Sequence, residues 1–184
     1  MKRFKDRTEM IRFMPLHSVG VEIGVFQGDF SAQILTTGVG TLHLVDPWKQ
    51  YPEYASDSRN EPTSVQDNYH RQVCGRFSGE ISTGRVIVHR LTSIEAANLF
   101  MPESLDWVFI DGNHQYEFVL EDLMSWAPKV RYGGCIMGHD YDGLPQAKEI
   151  KCGVKEAVQR FCDISQWKMT AMTEEPVKSF ALCI

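Results

Sequence analysis

Two short blocks of the sequence hold most of its residues able to do chemistry. One reads Asp111-Gly-Asn-His114-Gln-Tyr116 and the other Gly138-His139-Asp140-Tyr141. Each closes an apolar run, Leu105 to Ile110 and Gly134-Cys-Ile-Met-Gly138, of the kind that forms a buried strand. If the two strands are neighbours, Asp111, His114, His139 and Asp140 meet in a single crevice. Two carboxylates and two imidazoles gathered in this way form either a divalent-cation site with a base beside it or a hydrogen-bonded polar cap.

A second group lies earlier in the chain, in Glu22-Ile-Gly24-Val-Phe-Gln-Gly28-Asp-Phe-Ser31. Gly24 and Gly28 allow a tight strand-to-helix turn that a ligand can approach closely, a feature shared by many such turns. A dinucleotide fingerprint would read G-x-G-x-x-G to admit a pyrophosphate. Here a carboxylate stands on the strand and the second close glycine is missing, which disfavours pyrophosphate and favours a positive centre. Asp46 ends the next apolar run, where an acid can accept hydrogen bonds from both ribose hydroxyls. The loop and this acid point to an adenosine ligand without a diphosphate. S-adenosylmethionine, with its ribose, sulfonium and amino-acid end, fits that description. Ser93, in Leu91-Thr-Ser93-Ile-Glu95, is placed either to meet the adenine edge or to cap the helix that starts at Ile94.

The elements that must position these groups alternate along the chain. The patterning predicts a helix over 6–14 stopped by Pro15, and strands over Val19–Val25, Leu42–Asp46, Val86–His89, Leu105–Ile110 and Gly134–Gly138. Between them it predicts helices over Ser31–Leu35, about Ser64–Phe77, Ile94–Phe100, Tyr116–Trp126 and Val154–Phe161. Two closing strands follow, Trp167–Met172 and Phe180–Ile184. Strands and helices alternating in units of ~25–30 residues predict an α/β doubly wound, Rossmann-like sheet that binds ligands at its strands' carboxyl ends. The whole chain, 1–184, reads as one domain with an N-terminal helical segment over 1–18. Trp126 and Phe118 are expected in the core. Lys5, Arg7 and Arg12 are expected on a solvated helix face. Trp48, Tyr51 and Tyr54, in the long 47–85 connection, are placed either to form a lid or to cap the sheet edge.

Composition limits the partners. The 184 residues carry a net charge of −5, with 43% hydrophobic and 23% charged residues, as in an ordinary globule. The acidic balance argues against gripping a phosphate backbone, so nucleic acid is not an expected partner. No apolar run approaches the ~20 residues that span a bilayer, and no apolar signal core follows the basic start. The five cysteines (Cys74, Cys135, Cys152, Cys162, Cys183) are odd in number and show no C-x-x-C spacing. A cytoplasmic chain with free thiols fits better than a disulfide framework.

The blocks VEIGVFQGDFS, LHLVDPW, LDWVFIDGNHQYEFVLEDLMSWAPKVRYGGCIMGHDY and GVKEAVQRF together resemble class I S-adenosylmethionine-dependent methyltransferases. They are most similar to the group with IDGxHxY and GGxxxGHDY motifs, related to metal-dependent natural-product O-methyltransferases. The resemblance runs from about Val19 to Ile184. It implies a seven-stranded, mostly parallel sheet of order 3-2-1-4-5-7-6 with the last strand antiparallel. It assigns Glu22, Gly24 and Gly28 to the loop that holds the methionine part and Asp46 to the ribose; Ser31, Ser93 and Asp111 stand beside them as further candidates for cofactor binding. It makes Asp111, His139 and Asp140 ligands of a divalent metal, Mg²⁺ or Mn²⁺, and His114 the general base beside Asp111. Relatives usually carry acid–acid or acid–amide at the 139/140 pair, so His139 shifts the expected ion toward Mn²⁺ or another transition metal. The chain lacks the long N-terminal cover of many relatives, which leaves 47–85 as the expected lid. The implied partner is a small-molecule acceptor, and relatives often pair as homodimers. Two other readings fit a similar sheet: an NAD-dependent oxidoreductase or epimerase, and a non-catalytic module that binds an adenosyl ligand.

Overall fold

The computed structural model describes residues 1–52, 59–143 and 152–184, so Tyr54 lies outside the described residues. The chain begins with β1 (Lys2–Phe4), α1 (Arg7–Arg12), β2 (Val19–Ile23), α2 (Asp29–Leu35) and β3 (Thr41–Val45). It continues through α3 (Thr63–Arg76), α4 (Ser78–Ser82), β4 (Val86–His89), α5 (Ser93–Ala97), β5 (Leu105–Ile110) and α6 (Tyr116–Trp126). After a 3-10 turn at Ala127–Lys129 come β6 (Val130–Gly138), α7 (Val154–Ile164), β7 (Lys168–Thr173) and β8 (Phe180–Cys183).

The central strand shows why the layers form. All six residues of β5 are buried. Trp107 and Phe109 pack into one apolar layer with Leu42, Leu44 and Ile34, while Val108 and Ile110 pack into the other with Leu123, Trp126 and Phe161. A run that is apolar on both faces suits a sheet covered on both sides. The helices α1, α2 and α3 supply one cover, and α5, α6 and α7 the other.

Among the described residues the sheet has eight strands, not seven, in the order β1-β7-β8-β6-β5-β2-β3-β4. Only β8 runs antiparallel to its neighbours. The added strand is β1, which pairs Lys2 with Ala171 and Phe4 with Thr173 inside the segment expected to be purely helical. It is three residues long with one buried side chain, Phe4, and so offers no period to read. The short helix α4 was likewise not expected.

Two further expectations change. Cys135 and Cys183 are register partners across β6 and β8, with Cα atoms 4.7 Å apart, and are joined in a disulfide. Antiparallel pairing brings the two Cβ atoms within bonding reach, a proximity that a separation of 48 residues hides from spacing rules. Cys74, Cys152 and Cys162 are free thiols. Trp48 is completely buried, its indole N–H donating to the Phe26 carbonyl at 2.8 Å, so it is a core residue and not part of a lid. No helix among the described residues is long and apolar enough to cross a membrane.

Candidate active site

The strand ends are drawn together by backbone pairing that runs past the strands. Gly24 N–H donates to Val45 O at 2.9 Å, Asp111 N–H to Ile23 O at 2.8 Å, and His139 N–H to Ile110 O at 3.1 Å. The turn after β2 then departs from the sheet with Gly24 at φ +85°, where a Cβ would stand 2.0 Å from the Asp111 carbonyl. Only a glycine fits a backbone so close to another. Gly28, at φ +77°, starts α2, but a Cβ there would meet Phe77 at 2.9 Å and Val73 at 3.3 Å. Its crowding therefore comes from α3 and from Phe77, which caps that helix.

Gly24, Asp46, Ser93, Asp111 and His114 line one cleft of 340 Å³, within the range of small-molecule sites. Glu22, Gly28 and Ser31 are not among its lining residues. Ser31 Oγ donates to Glu22 Oε2 at 2.5 Å, and both residues are buried. Burial pushes the Glu22 carboxyl up to about 8, with Asp111 and Asp46 adding to the rise and Ser31 and Arg7 opposing it. Asp46 ties the turn down: Oδ2 accepts from Val25 N–H at 3.0 Å and Phe26 N–H at 2.9 Å, and Oδ1 from Trp48 N–H at 2.7 Å. Burial raises its pKa, and these three donors lower it in part.

The cap of α5 is Thr92, not Ser93. Thr92 and Glu95 form a capping box, and Ser93 Oγ instead accepts from Trp126 Nε1 at 2.8 Å. Tyr51 lines the cleft. Phe118, expected in the core, is 44% exposed and also lines it. Helix α6 turns Val119, Leu123 and Trp126 inward, which leaves Phe118 on the side facing the opening.

At the β5 and β6 ends lies the polar cluster. His114 Nε2 is 3.2 Å from Asp140 Oδ2 and 3.5 Å from Asp111 Oδ1. His139 Nδ1 is 3.0 Å from Asp140 Oδ2 and 3.8 Å from Asp111 Oδ1. Burial would lower the His114 pKa, but hydrogen bonds and charge from Asp111 and Asp140 outweigh it and push the imidazole up to about 10. Burial would raise Asp140, but the two histidines hold it well below the usual carboxylate range.

One atom of each of Asp111, His139 and Asp140 lies within 4.8 Å of the others, a spacing that fits a single cation. Asp111 Oδ1 is buried, and His114 Nε2 at 3.5 Å and His139 Nδ1 at 3.8 Å approach it only loosely, which leaves it able to turn to such an ion. An N,O donor set of this kind suits Mn²⁺ better than Mg²⁺.

The cluster has a fifth member that the sequence reading placed in solvent. Arg7 Nη1 is 3.0 Å from Asp111 Oδ2, and the guanidinium lies 4.1 Å above the Phe30 ring. A signal was present: Arg7 stands three and four residues before the buried Met10 and Ile11, hence on the same helix face.

Comparison with known proteins follows this geometry. A family model described as a methyltransferase domain matches residues 21–141. No curated protein sequence matches the chain. Solved structures share the fold at low identity. A Corynebacterium glutamicum protein superposes with a TM-score of 0.67 at 14% identity, over 98% of this chain and 82% of that one. The O-methyltransferase TomG from Streptomyces achromogenes, solved with S-adenosylmethionine, gives 0.63 at 14% identity over 95% and 75%. The N-methyltransferase NodS from Bradyrhizobium japonicum gives 0.62 at 10% identity over 91% and 85%.

Proposed function

The chain belongs to the methyltransferase domain family, and from that premise we propose that it moves a methyl group from S-adenosylmethionine to an oxygen of a small molecule. The observation that carries the reading is that Asp111 and His114 line the same cleft as Asp46 and Gly24, with His139 and Asp140 in contact with them behind that lining. The cleft can take an adenosine between Asp46 and Ser93 while directing the other end of the ligand at the cluster.

Methyl transfer is an in-line displacement, so the protein must align donor and acceptor, exclude water and remove the acceptor proton. S-adenosylmethionine supplies a methyl group activated on a sulfonium. Gly24 and Asp46 fix the strand-end turn against which it lies. Phe118 and Tyr51, at the opening, shield it from water. His114 is the group placed to manage the proton of the acceptor, and its protonation is governed by the two carboxylates it faces. A divalent ion on Asp111, His139 and Asp140 would lower the acceptor's pKa and engage the carboxylates that otherwise keep His114 protonated.

Calorimetry with S-adenosylhomocysteine and with NAD tests the reading. Binding of the first and not the second is the expected result. Preference for NAD would favour the oxidoreductase reading, and tight S-adenosylhomocysteine binding with no turnover of any acceptor would favour the binding module.

A further inference from the structure

Of the five cysteines, only Cys74 has an imidazole in contact with its sulfur among the described residues. Cys135 and Cys183 are tied to each other. Burial pushes the Cys162 thiol up and keeps it protonated. Cys152 Sγ donates to the Asp140 carbonyl at 3.7 Å, an acceptor that does not take the proton away. Cys74 Sγ instead lies 3.5 Å from His70 Nε2, one turn earlier on the same face of α3. The thiol is half-buried, so a small reagent reaches it. Burial holds His70 below the ordinary imidazole range, with Arg90 and Arg71 adding to the fall and Asp67 opposing it. The ring is therefore neutral at pH 7 and able to accept a proton. A thiol facing a neutral imidazole is a nucleophile beside its base. Neither residue lines the cleft.

The pair nevertheless leans on the wall of that cleft. The His70 ring packs on Trp48 at 4.8 Å, and Trp48 N–H donates to Asp46 Oδ1 at 2.7 Å. Gln66, on the same helix, lines the cleft, and Tyr69 meets the lining residue Phe26 edge-on at 4.9 Å. We infer that Cys74 is a covalent modification site for low-molecular-weight disulfides, with His70 taking the thiol proton, and that the adduct weakens ligand binding in the cleft by pressing His70 against Trp48. The exchange balances within the pair and the reagent. His70 Nε2 takes the proton, and Cys74 Sγ attacks one sulfur of the disulfide. The bond between the reagent's two sulfurs breaks as the new one to Cys74 forms, and the departing thiolate leaves as a thiol with the proton from His70. Excess thiol reverses the step. The effect on ligand binding rests on the proposed cofactor reading; the modification itself does not.

Oxidised glutathione is the probe, its sites mapped by peptide mass spectrometry and S-adenosylhomocysteine affinity measured by calorimetry before and after. Cys74 should be modified ahead of Cys152 and Cys162. His70→Phe keeps a ring against Trp48 and removes the base. It should slow the reaction at Cys74 about ten- to thirtyfold, the ceiling for a thiol that is already a few per cent thiolate at pH 7. Singly modified wild type should bind S-adenosylhomocysteine about ten- to a hundredfold more weakly, as for overpacking of a filled wall. Dithiothreitol should restore the affinity, and treated Cys74→Ser should bind as it does untreated. Earlier labelling of Cys152 or Cys162, an unchanged Cys74 rate in His70→Phe, or modified protein that binds as before would overturn the inference and leave the cofactor reading standing. Untreated protein that binds no S-adenosylhomocysteine would overturn that reading and with it the effect on binding, while the labelling rates would still decide the modification site.

Discussion

His114 on the β5 end points its Nε2 at Asp140 Oδ2, 3.2 Å away on the β6 end, so the titration of one strand's imidazole is set by the next strand's carboxylate. The folded pKa of about 10 lies above the ordinary 6.5. Linkage then gives the sign: the group's stabilisation is complete below pH 6.5 and is lost as pH rises through about 10. Thermal melting across pH 6.5 to 10 should show that fall. His114→Gln should flatten the upper part, between 8 and 10, where Glu22 no longer contributes. A slope unchanged in that variant would remove His114 as its source.

Glu22 gives a test of the same sign at lower pH. Its carboxyl titrates near 8 when folded against 4.5 otherwise, so between those values the folded state holds the extra proton and stability falls as pH rises. Glu22→Gln keeps an acceptor for Ser31 and removes the ionisation. The variant should be more stable than wild type at pH 8, by at most about 5 kcal/mol, with the difference vanishing below pH 4.5. Denaturant titrations at the two pH values check this.

Gly24→Ala should damage the site more than a positive φ alone explains. Gly84 also has positive φ, +74°, but open space where a Cβ would go. Gly84→Ala therefore reports strain alone, on the order of 1–3 kcal/mol. Gly24→Ala adds a collision with the Asp111 carbonyl and should unfold the turn or abolish S-adenosylhomocysteine binding. Similar losses in the two variants would mean that the turn relaxes away from β5.

Asp46→Ala should lose cofactor affinity and stability together, because it strips three backbone N–H groups of their acceptor. Each buried donor left unpaired costs about 1–3 kcal/mol. A variant that binds weakly but melts as wild type would show that solvent satisfies the turn.

Mn²⁺ binding, followed by electron paramagnetic resonance, should saturate at one ion and be lost in Asp111→Ala and Asp140→Ala. His139→Asp should keep a site and move its preference toward Mg²⁺, since an oxygen replaces the nitrogen donor. Mn²⁺ affinity that survives Asp140→Ala would take the metal away from this cluster.

The layers were legible because burial on both faces writes itself into the chain as unbroken apolar runs: Leu105–Ile110 is a strand over the residues read from sequence, and Tyr116–Trp126 a helix over its own. Asp111, His114, His139 and Asp140 were legible as a group because strand ends gather at one edge of such a sheet. What stayed hidden depends on contacts between distant segments. Strand β1 exists through β7, and Arg7 reaches a residue 104 positions away. Cys135 meets Cys183 only because β8 runs antiparallel beside β6. Phe118 and Trp48 were misplaced for a related reason: an aromatic side chain satisfies a core or a cleft equally well, and position within the fold decides which.

Strand β1 also bears on how the molecule keeps to itself. It occupies the outer side of β7, whose N–H and C=O groups would otherwise face solvent as a template for another chain. Removing residues 1–5 by proteolysis or by a shortened clone would uncover that template and free the segment leading into α1. Such a molecule would self-associate through β7 in proportion to its concentration.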